Sequence, residues 1–247
     1  MKKVLHVILI SLFSLTIISC AKKNSSSSSD TTDTTVESCT NTTTGTTTQM
    51  GGSRQGVELC LSTVVTTLAG TGSSGSANGT GTSASFYAPS GITTDGTNLY
   101  VVDYGNHLIR QIVISTGVVT TLAGTGSSGS ADNSTGTSAG FNQPYGITTD
   151  GTNLYVADYG NHLIRKIVIS TGVVTTLAGT GSSGSANGTG TSASFYKPAG
   201  ITTDGTNLYV ADRYNYLIRK IVISTGVVTT VAGTGSSGSA NGTGTSA

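Results

Sequence analysis

The chain has 247 residues and a nearly balanced charge, with 12 Lys and Arg against 11 Asp and Glu. Only 9% of the residues are charged, so no basic stripe is available to neutralise phosphates, which argues against a nucleic-acid partner. Apolar residues show no 3.6-residue period beyond the N-terminal segment, which argues against a helical fold.

Residues 1–19 have the layout of a secretory signal peptide. Lys2 and Lys3 form a basic start, and an almost wholly apolar run from Val4 to Ile18 follows. This run is short for a membrane span. The sequence Ile-Ile-Ser-Cys that ends at Cys20 resembles the lipobox of bacterial lipoproteins, in which the cysteine is lipidated before cleavage. An ordinary signal peptide followed by a chance cysteine is the alternative.

The lipobox resemblance implies that Cys20 is the lipidation site and that acyl chains tie the mature chain to a membrane. Ala21, rather than Asp, follows the cysteine, which resembles an outer-membrane address in Gram-negative bacteria. We therefore expect an exported protein that is lipid-anchored in the bacterial cell envelope, with the outer membrane favoured.

Residues 20–53 form a tether that is rich in serine and threonine. It has too little apolar surface to offset its ordering entropy, so we expect disorder. In an oxidising compartment Cys39 and Cys60 are predicted to form a disulfide, with two free thiols as the alternative. Neither cysteine has a neighbouring histidine or a Cys-x-x-Cys spacing, so no metal site is predicted.

Residues 54–247 are dominated by near-identical repeats. The stretch from Gly91 to Val101, Gly-Ile-Thr-Thr-Asp-Gly-Thr-Asn-Leu-Tyr-Val, recurs letter for letter from Gly146 and from Gly200. The units cover about residues 64–117, 118–172 and 173–226, and a partial unit covers 227–247. A period of this size is typical of repeat architectures, in which each unit buries its apolar face against its neighbours.

Each unit is predicted to contain four short strands. In the first unit they cover residues 90–94, 99–103, 107–114 and 118–123, separated by turn residues such as Asp95-Gly96. Four antiparallel strands per unit predict an all-β fold, a β-propeller of four-stranded blades, of which about three and a half are present. The Gly/Ser-rich remainder of each unit is predicted to connect one blade to the next and to bury nothing.

The unit resembles a known repeat. Asn106-His107-Leu108 and Asn161-His162-Leu163 spell the letters for which the NHL repeat is named. The wider pattern also resembles the bacterial NHL unit, through Phe86, Pro89, Gly91, Tyr100, Asp103, Asn106, Ile109, Arg110 and Gly124. The third copy departs from this pattern, because Arg213-Tyr-Asn-Tyr216 replaces Tyr-Gly-Asn-His.

The NHL resemblance implies a six-bladed ring, which three and a half blades cannot close. We therefore expect the chain to be a fragment of a longer product. If the chain is complete, a homodimer of three blades plus three is the alternative.

The loops between the second and third strands are predicted to share one face with the blade-to-blade connections. They supply these candidate binding residues: Tyr104, Asn106, His107, Tyr159, Asn161, His162, Arg213, Asn215 and Tyr216. Aromatic and amide groups suit adaptable recognition.

A three-residue loop would place Asp103 opposite His107 and Tyr100 opposite Arg110, and likewise Asp158 opposite His162. An Asp–His pair could act as a general base. A group needed for folding recurs in every blade, whereas a catalytic group is needed once. The repeated aspartates Asp103, Asp158 and Asp212 are therefore predicted to be structural.

The sequence thus predicts a surface-tethered propeller that acts as a non-catalytic binding or scaffold module for a protein or glycan, with no metal or other cofactor. Some propellers similar to the NHL family are lyases or lactonases. A metal-dependent enzyme whose catalytic residues lie in missing blades is therefore the alternative. A spacer without a specific ligand is a third interpretation.

Overall fold

The computed structural model describes residues 39–40, 47–48 and 65–246. The chain divides into two units, Met1–Val65 and Thr66–Ala247. In the first unit, strands β1 (Cys39–Thr40) and β2 (Thr47–Thr48) pair antiparallel. The predicted signal peptide, the lipidation site Cys20, Cys60 and hence the predicted disulfide lie outside the described residues, as does the rest of the tether.

The second unit contains three antiparallel sheets, each formed by strands that are consecutive in the chain. The first contains β3 (Gly79–Thr80), β4 (Pro89–Thr94), β5 (Asn98–Asp103), β6 (Leu108–Val113) and β7 (Val118–Ala123). The second contains β8 (Ile147–Thr149), β9 (Asn153–Asp158), β10 (Leu163–Val168) and β11 (Val174–Ala178). The third contains β12 (Gly188–Thr189), β13 (Pro198–Thr203), β14 (Asn207–Asp212), β15 (Leu217–Val222) and β16 (Val227–Ala232).

Each sheet is a four-stranded meander, as the sequence predicts. In the second sheet the order is β11-β10-β9-β8, and the first and third sheets repeat this order with one added edge strand. The first strands of the three meanders, β4, β8 and β13, pack against one another in sequence. The sheets therefore lie side by side with their first strands innermost, which is part of a β-propeller, and the predicted fold class is confirmed.

Two of the three hydrophobic clusters of the described residues lie between consecutive sheets, and the third joins the first sheet to the connection that precedes it. Ile109 of β6 packs in one buried cluster with Leu154 and Ile167 of the second sheet. Ile164 of β10 packs in an equivalent cluster with Leu208 of the third sheet. Burying one such side chain contributes about 1.5–3 kcal/mol, so each sheet depends on its neighbour for stability.

The Gly/Ser-rich connections are more ordered than predicted. Ala139 and Phe141 are fully buried in the core cluster between the first two sheets, so the expectation that a connection buries nothing was wrong. β3 pairs with the outer strand β7, and β12 pairs with β16. The connections thereby cover outer edges that would otherwise expose unpaired backbone groups.

Among the described residues, none of the helical segments has both the length and the apolar character that a membrane crossing requires.

Candidate functional site

The loop between the second and third strands of each blade is a single 3₁₀ turn, at Tyr104–Asn106, Tyr159–Asn161 and Arg213–Asn215. In the first blade His107 follows with a left-handed backbone, at a φ of 57°, and Leu108 then pairs with Asp103. The loop therefore has four residues instead of three. The predicted pairing of Asp103 with His107 was wrong for this reason.

The same change of register holds in the second blade, where Asp158 pairs with Leu163 and not with the predicted His162. Histidine tolerates the left-handed backbone better than most residues with a side chain. In the third blade Tyr216 adopts it, at a φ of 56°.

The predicted cross-strand pair of Tyr100 with Arg110 was also wrong by one residue, since Tyr100 lies opposite Gln111. The Tyr100 hydroxyl donates a hydrogen bond of 2.7 Å to Asp95 Oδ2. Burial and this bond raise the pKa of Tyr100 to about 12. The guanidinium carbon of Arg110 instead lies 5.1 Å from the ring centroid of Phe86.

The three repeated aspartates form buried ion pairs with arginines. Asp103 is fully buried and accepts hydrogen bonds from the Tyr87 N–H at 2.7 Å, Asn106 Nδ2 at 2.9 Å and Arg110 Nη1 at 2.9 Å. Asp158 and Asp212 repeat the arrangement with Arg165 and Arg219.

Burial acts against the charged form of two of these carboxylates, those of Asp158 and Asp212. Burial raises the pKa of Asp158 to about 6, against the opposing effect of hydrogen bonds from the Asn142 N–H, Asn161 and Arg165. Burial likewise raises the pKa of Asp212. At neutral pH Asp158 is therefore charged, and its charge is compensated within the protein, which suits a structural role.

Each buried arginine also holds the connection that precedes its blade. Arg110 Nη1 donates to the Ser85 carbonyl oxygen at 3.1 Å, and its Nη2 donates to Ala77 O and Asn78 Oδ1, both at 2.9 Å. Arg165 and Arg219 make the matching bonds in their blades. Sequence reasoning missed this role, although a charged residue recurring inside a buried strand was a usable signal.

The candidate binding residues Asn106, Asn161 and Asn215 use their amides inside the fold. Nδ2 of Asn106 donates to Gly75 O at 2.7 Å and to Asp103 Oδ2 at 2.9 Å. Asn161 and Asn215 make the same two bonds in their blades. Both amide hydrogens are thus engaged by the protein itself.

The histidines connect consecutive blades. Nδ1 of His107 accepts a hydrogen bond of 2.9 Å from the Gln143 N–H, and Nδ1 of His162 accepts one of 3.0 Å from the Lys197 N–H. An accepting Nδ1 carries no proton, so both rings are neutral in this arrangement. Burial and the charge of Lys197 lower the pKa of His162.

Five tyrosine rings lie on this face, and we call them the aromatic rim: Tyr104, Tyr145, Tyr159, Tyr196 and Tyr214, of which Tyr159 is buried. Ring centroids are 6.0 Å apart between Tyr104 and Tyr145 and 5.9 Å apart between Tyr145 and Tyr159. Those of Tyr196 and Tyr214 are 5.3 Å apart. Tyr145, Tyr196 and Tyr214 are 39%, 36% and 41% exposed.

The structure thus divides the candidate residues between scaffold and surface. The asparagines and histidines are engaged in the scaffold, whereas Tyr104 and Tyr159 join the rim and Arg213 and Tyr216 are exposed beside it. Tyr145, Tyr196 and Lys197 were missed by sequence reasoning. Each precedes a first strand, in a segment that the strand pattern treats only as a connection.

The copies differ mainly along this rim. The four residues before the repeated glycine read Tyr-Ala-Pro-Ser in the first blade, Asn-Gln-Pro-Tyr in the second and Tyr-Lys-Pro-Ala in the third. The loop reads Tyr-Gly-Asn-His twice and then Arg-Tyr-Asn-Tyr. The strands themselves are almost identical, so these differences change the surface of the loop face. The second copy also differs in its connection, where Asp132 takes the place of Asn78 and Asn187.

The opposite end of the sheets carries turns that are identical in all three copies. Asp95 Oδ1 accepts hydrogen bonds from the N–H groups of Thr97 and Asn98 at 2.8 and 2.7 Å. Burial acts to raise the pKa of Asp95, but bonds from Asn98, Tyr100 and Thr97 outweigh it and lower the pKa to about 2. These turns therefore have the features of structural elements.

No protein-family model matches the chain. It is 39% identical over 107 residues to human NHL repeat-containing protein 2, and this match covers 42% of this chain and 15% of that protein. It is 32% identical over 171 residues to the Arabidopsis thaliana protein SUPPRESSOR OF QUENCHING 1, chloroplastic, covering 66% and 16% of the two chains. The chain thus spans about 15% of the length of these relatives. The similarities support an NHL-repeat family.

Among solved structures, an auxiliary nutrient binding protein from Bacteroides thetaiotaomicron is 24% identical, with a TM-score of 0.47 and coverage of 57% of this chain and 36% of that one. Virginiamycin B lyase from Staphylococcus aureus is 20% identical, with a TM-score of 0.39 and coverage of 58% and 40%. The fold assignment rests on the sheet topology described above.

Proposed function

We propose that this chain is an NHL-type propeller module that binds a protein or glycan through the aromatic rim and performs no catalysis. The observation that carries the proposal is the contrast between nearly identical strands and a divergent rim. A nearly constant strand framework whose loops vary in their exposed rings and cations has the features of a recognition surface, since loops on a rigid framework usually carry function.

The chemistry of the rim supports adaptable binding. Tyrosine offers a large, rigid ring with a polar end and loses little conformational entropy when it is covered. The rings of Tyr145 and Tyr196 precede first strands that pack at the centre of the fold. Their backbone is therefore fixed before any ligand arrives, which reduces the cost of binding.

Binding to glycan arrays and to extracellular-matrix proteins tests this proposal. Tyr145→Ser and Tyr196→Asn introduce the residues that occupy the same places as Ser90 and Asn142 in other copies, so the fold tolerates them. We expect the unaltered protein to bind at least one glycan or protein that the double variant does not bind. The triple variant Thr97→Ala, Thr152→Ala, Thr206→Ala alters the opposite end and serves as the control. Equal binding by the rim variant and the unaltered protein would refute the proposal.

We further propose that a lipid at Cys20 anchors the chain in the bacterial cell envelope, with the outer membrane favoured. The Ser/Thr-rich tether would then connect this anchor to the repeats that carry the rim. The lipobox-like Ile-Ile-Ser-Cys and the apolar run before it support this location. Metabolic labelling with radioactive palmitate should mark the unaltered chain and the Cys39→Ser control but not Cys20→Ser. Labelling that persists in Cys20→Ser would contradict the anchor.

The metal-dependent lyase or lactonase alternative draws no support from a particular observation. Within residues 65–246, no three His, Cys, Asp or Glu side chains come together as a group that could hold a metal ion. Metal analysis of the purified protein tests this alternative, and one tightly held divalent ion per molecule would favour it.

A further inference from the structure

The cations of the rim are confined to its third-blade portion. Lys197 occupies the place of Ala88 and Gln143 in the other copies, and Arg213 occupies the place of Tyr104 and Tyr159. In the part of the chain that the structure describes, neither Lys197 nor Arg213 takes part in an ion pair. The third copy has therefore gained two positive charges without gaining carboxylates to neutralise them.

Both cations are held against tyrosine rings. Lys197 Nζ lies 5.3 Å from the ring centroid of Tyr159 and 5.2 Å from that of Tyr214, so it sits between rings of two successive blades. The guanidinium carbon of Arg213 lies 5.6 Å from the Tyr214 centroid. Such contacts orient a cation without cancelling its charge, which leaves it available to an anionic ligand.

Within residues 65–246, no carboxylate forms an ion pair with Lys197 or Arg213. The aspartate of this blade that is closest in sequence to Arg213, Asp212, is fully buried and paired with Arg219 at 2.8 Å. The exposed turn carboxylate of the same blade, Asp204, belongs to the opposite end of the sheet. The third-blade rim is thus positive while the far end of the same blade is negative.

On the basis of the proposed function, we infer that Lys197, Arg213 and the exposed Tyr214 form a site for an acidic glycan, one whose sugar rings carry carboxylate or sulfate groups. The buried ring of Tyr159 contributes by holding Lys197 in place. The negative face of an aromatic ring attracts the slightly positive C–H bonds of a sugar. The two cations supply charge-assisted bonds to its anionic substituents. The aromatic ring alone would match only the sugar, and the two cations alone would match only its anionic groups.

Two other anionic partners fit the site less well. Two cations neutralise few phosphates, whereas nucleic-acid binding usually rests on many such contacts. A run of aspartates or glutamates in an acidic protein would match the two cations, but it offers no sugar ring to pack on Tyr214, which is 41% exposed.

Calorimetric titration of the full chain with an oligogalacturonate tests the inference, with a neutral maltooligosaccharide as the comparison. Lys197→Ala and Arg213→Tyr introduce the residues of the first copy, Ala88 and Tyr104, so folding should be retained. We expect the double variant to bind the acidic sugar at least about tenfold more weakly. Added salt should likewise weaken binding by the unaltered protein. Lys220→Gln, which introduces the first-copy residue Gln111 in a strand away from the loops, should bind normally.

The inference is overturned if the unaltered chain does not bind the acidic sugar, or if the double variant binds it equally well. It is also overturned if poly-glutamate or a single-stranded oligonucleotide binds more tightly. Binding of neutral sugars that depends on Tyr145 and Tyr196 but not on Lys197 would leave the proposed function standing and remove only the acidic specificity.

Discussion

Arg165 is fully buried, its Nη1 lies 2.9 Å from Asp158 Oδ2, and its other bonds reach the connection before its blade. Replacing it with methionine leaves the Asp158 carboxylate buried without its cation. Breaking a buried pair in this way typically costs about 3–5 kcal/mol. We expect Arg165→Met to lower the free energy of unfolding by about that amount, measured by urea denaturation.

The neighbouring Lys166 provides the matched control, because it is half-buried and takes part in none of the ion pairs among the described residues. Lys166→Met should change stability by no more than about 0.5 kcal/mol. Equal losses of unfolding free energy in Arg165→Met and Lys166→Met would contradict a specific stabilising role for the buried ion pair of Arg165 with Asp158.

Asp150 gives stability a defined pH dependence. Burial acts to raise its pKa, but hydrogen bonds from Asn153, Tyr155 and Thr152 outweigh it and lower the pKa from 3.8 to about 2. A folded pKa below the unfolded one contributes stability that is present above the unfolded value and is lost as the pH falls towards the folded one. The urea midpoint of the unaltered protein should therefore fall between about pH 4 and pH 2, and it should fall less in Asp150→Asn. Equal slopes for the two proteins would contradict this account of the turn.

Among the elements, the strands were predictable from the sequence, but their exact pairing was not. In the first blade, apolar and β-branched runs bounded by turn residues such as Asp95-Gly96 located all four strands within about one residue. The register depended on whether His107 belonged to a strand or to the loop, and its left-handed backbone decides this. A pattern of residue types carries no backbone angle, so the Asp–His interpretation failed at that point.

The connections were misjudged for a different reason. Their Gly/Ser content suggested that nothing would be buried, yet Phe141 and Ala139 lie in the core. Their backbone carbonyls are bound by an arginine that is distant in sequence. Such a contact forms only in the folded structure, and the residues of the connection itself do not indicate it.

The His162 loop supplies an element-scale prediction. The lowered pKa of His162 means that its neutral form is favoured in the folded state. The bond from the Lys197 N–H is therefore intact at and above the ordinary pKa of about 6.5, and it is lost as the pH falls through the lower pKa of the folded state. Hydrogen exchange at the Lys197 amide, corrected for the intrinsic rate, should accelerate only below about pH 6.5.

The Ala157 amide serves as the control for that measurement, because it donates to the Gly146 carbonyl oxygen at 2.9 Å and has no titrating acceptor. His162→Tyr, which places the Tyr216 residue type in the same loop position, should remove the pH effect at Lys197. An effect that survived this substitution would have to come from a different group.

At the scale of the whole propeller, stability comes from faces shared between neighbouring sheets. Ile109 and Ile164 are fully buried by the following sheet, whereas the equivalent Ile218 is 42% exposed in the third sheet. The three sheets are almost the same in sequence, so this difference reflects position in the array rather than residue type. Successive blades thus stabilise one another by packing face to face.

The unfolding free energies of Gly146→Ala and Gly200→Ala measure how closely the blades pack at this interface. A Cβ at Gly146 would collide with the Ala199 carbonyl oxygen of the next blade, whereas one at Gly200 would meet only Ala211 Cβ at 3.6 Å, an ordinary contact. The same substitution at equivalent positions should therefore cost about 1–3 kcal/mol at Gly146 and no more than about 0.5 kcal/mol at Gly200. Equal tolerance of alanine at both glycines would contradict blades packed face to face.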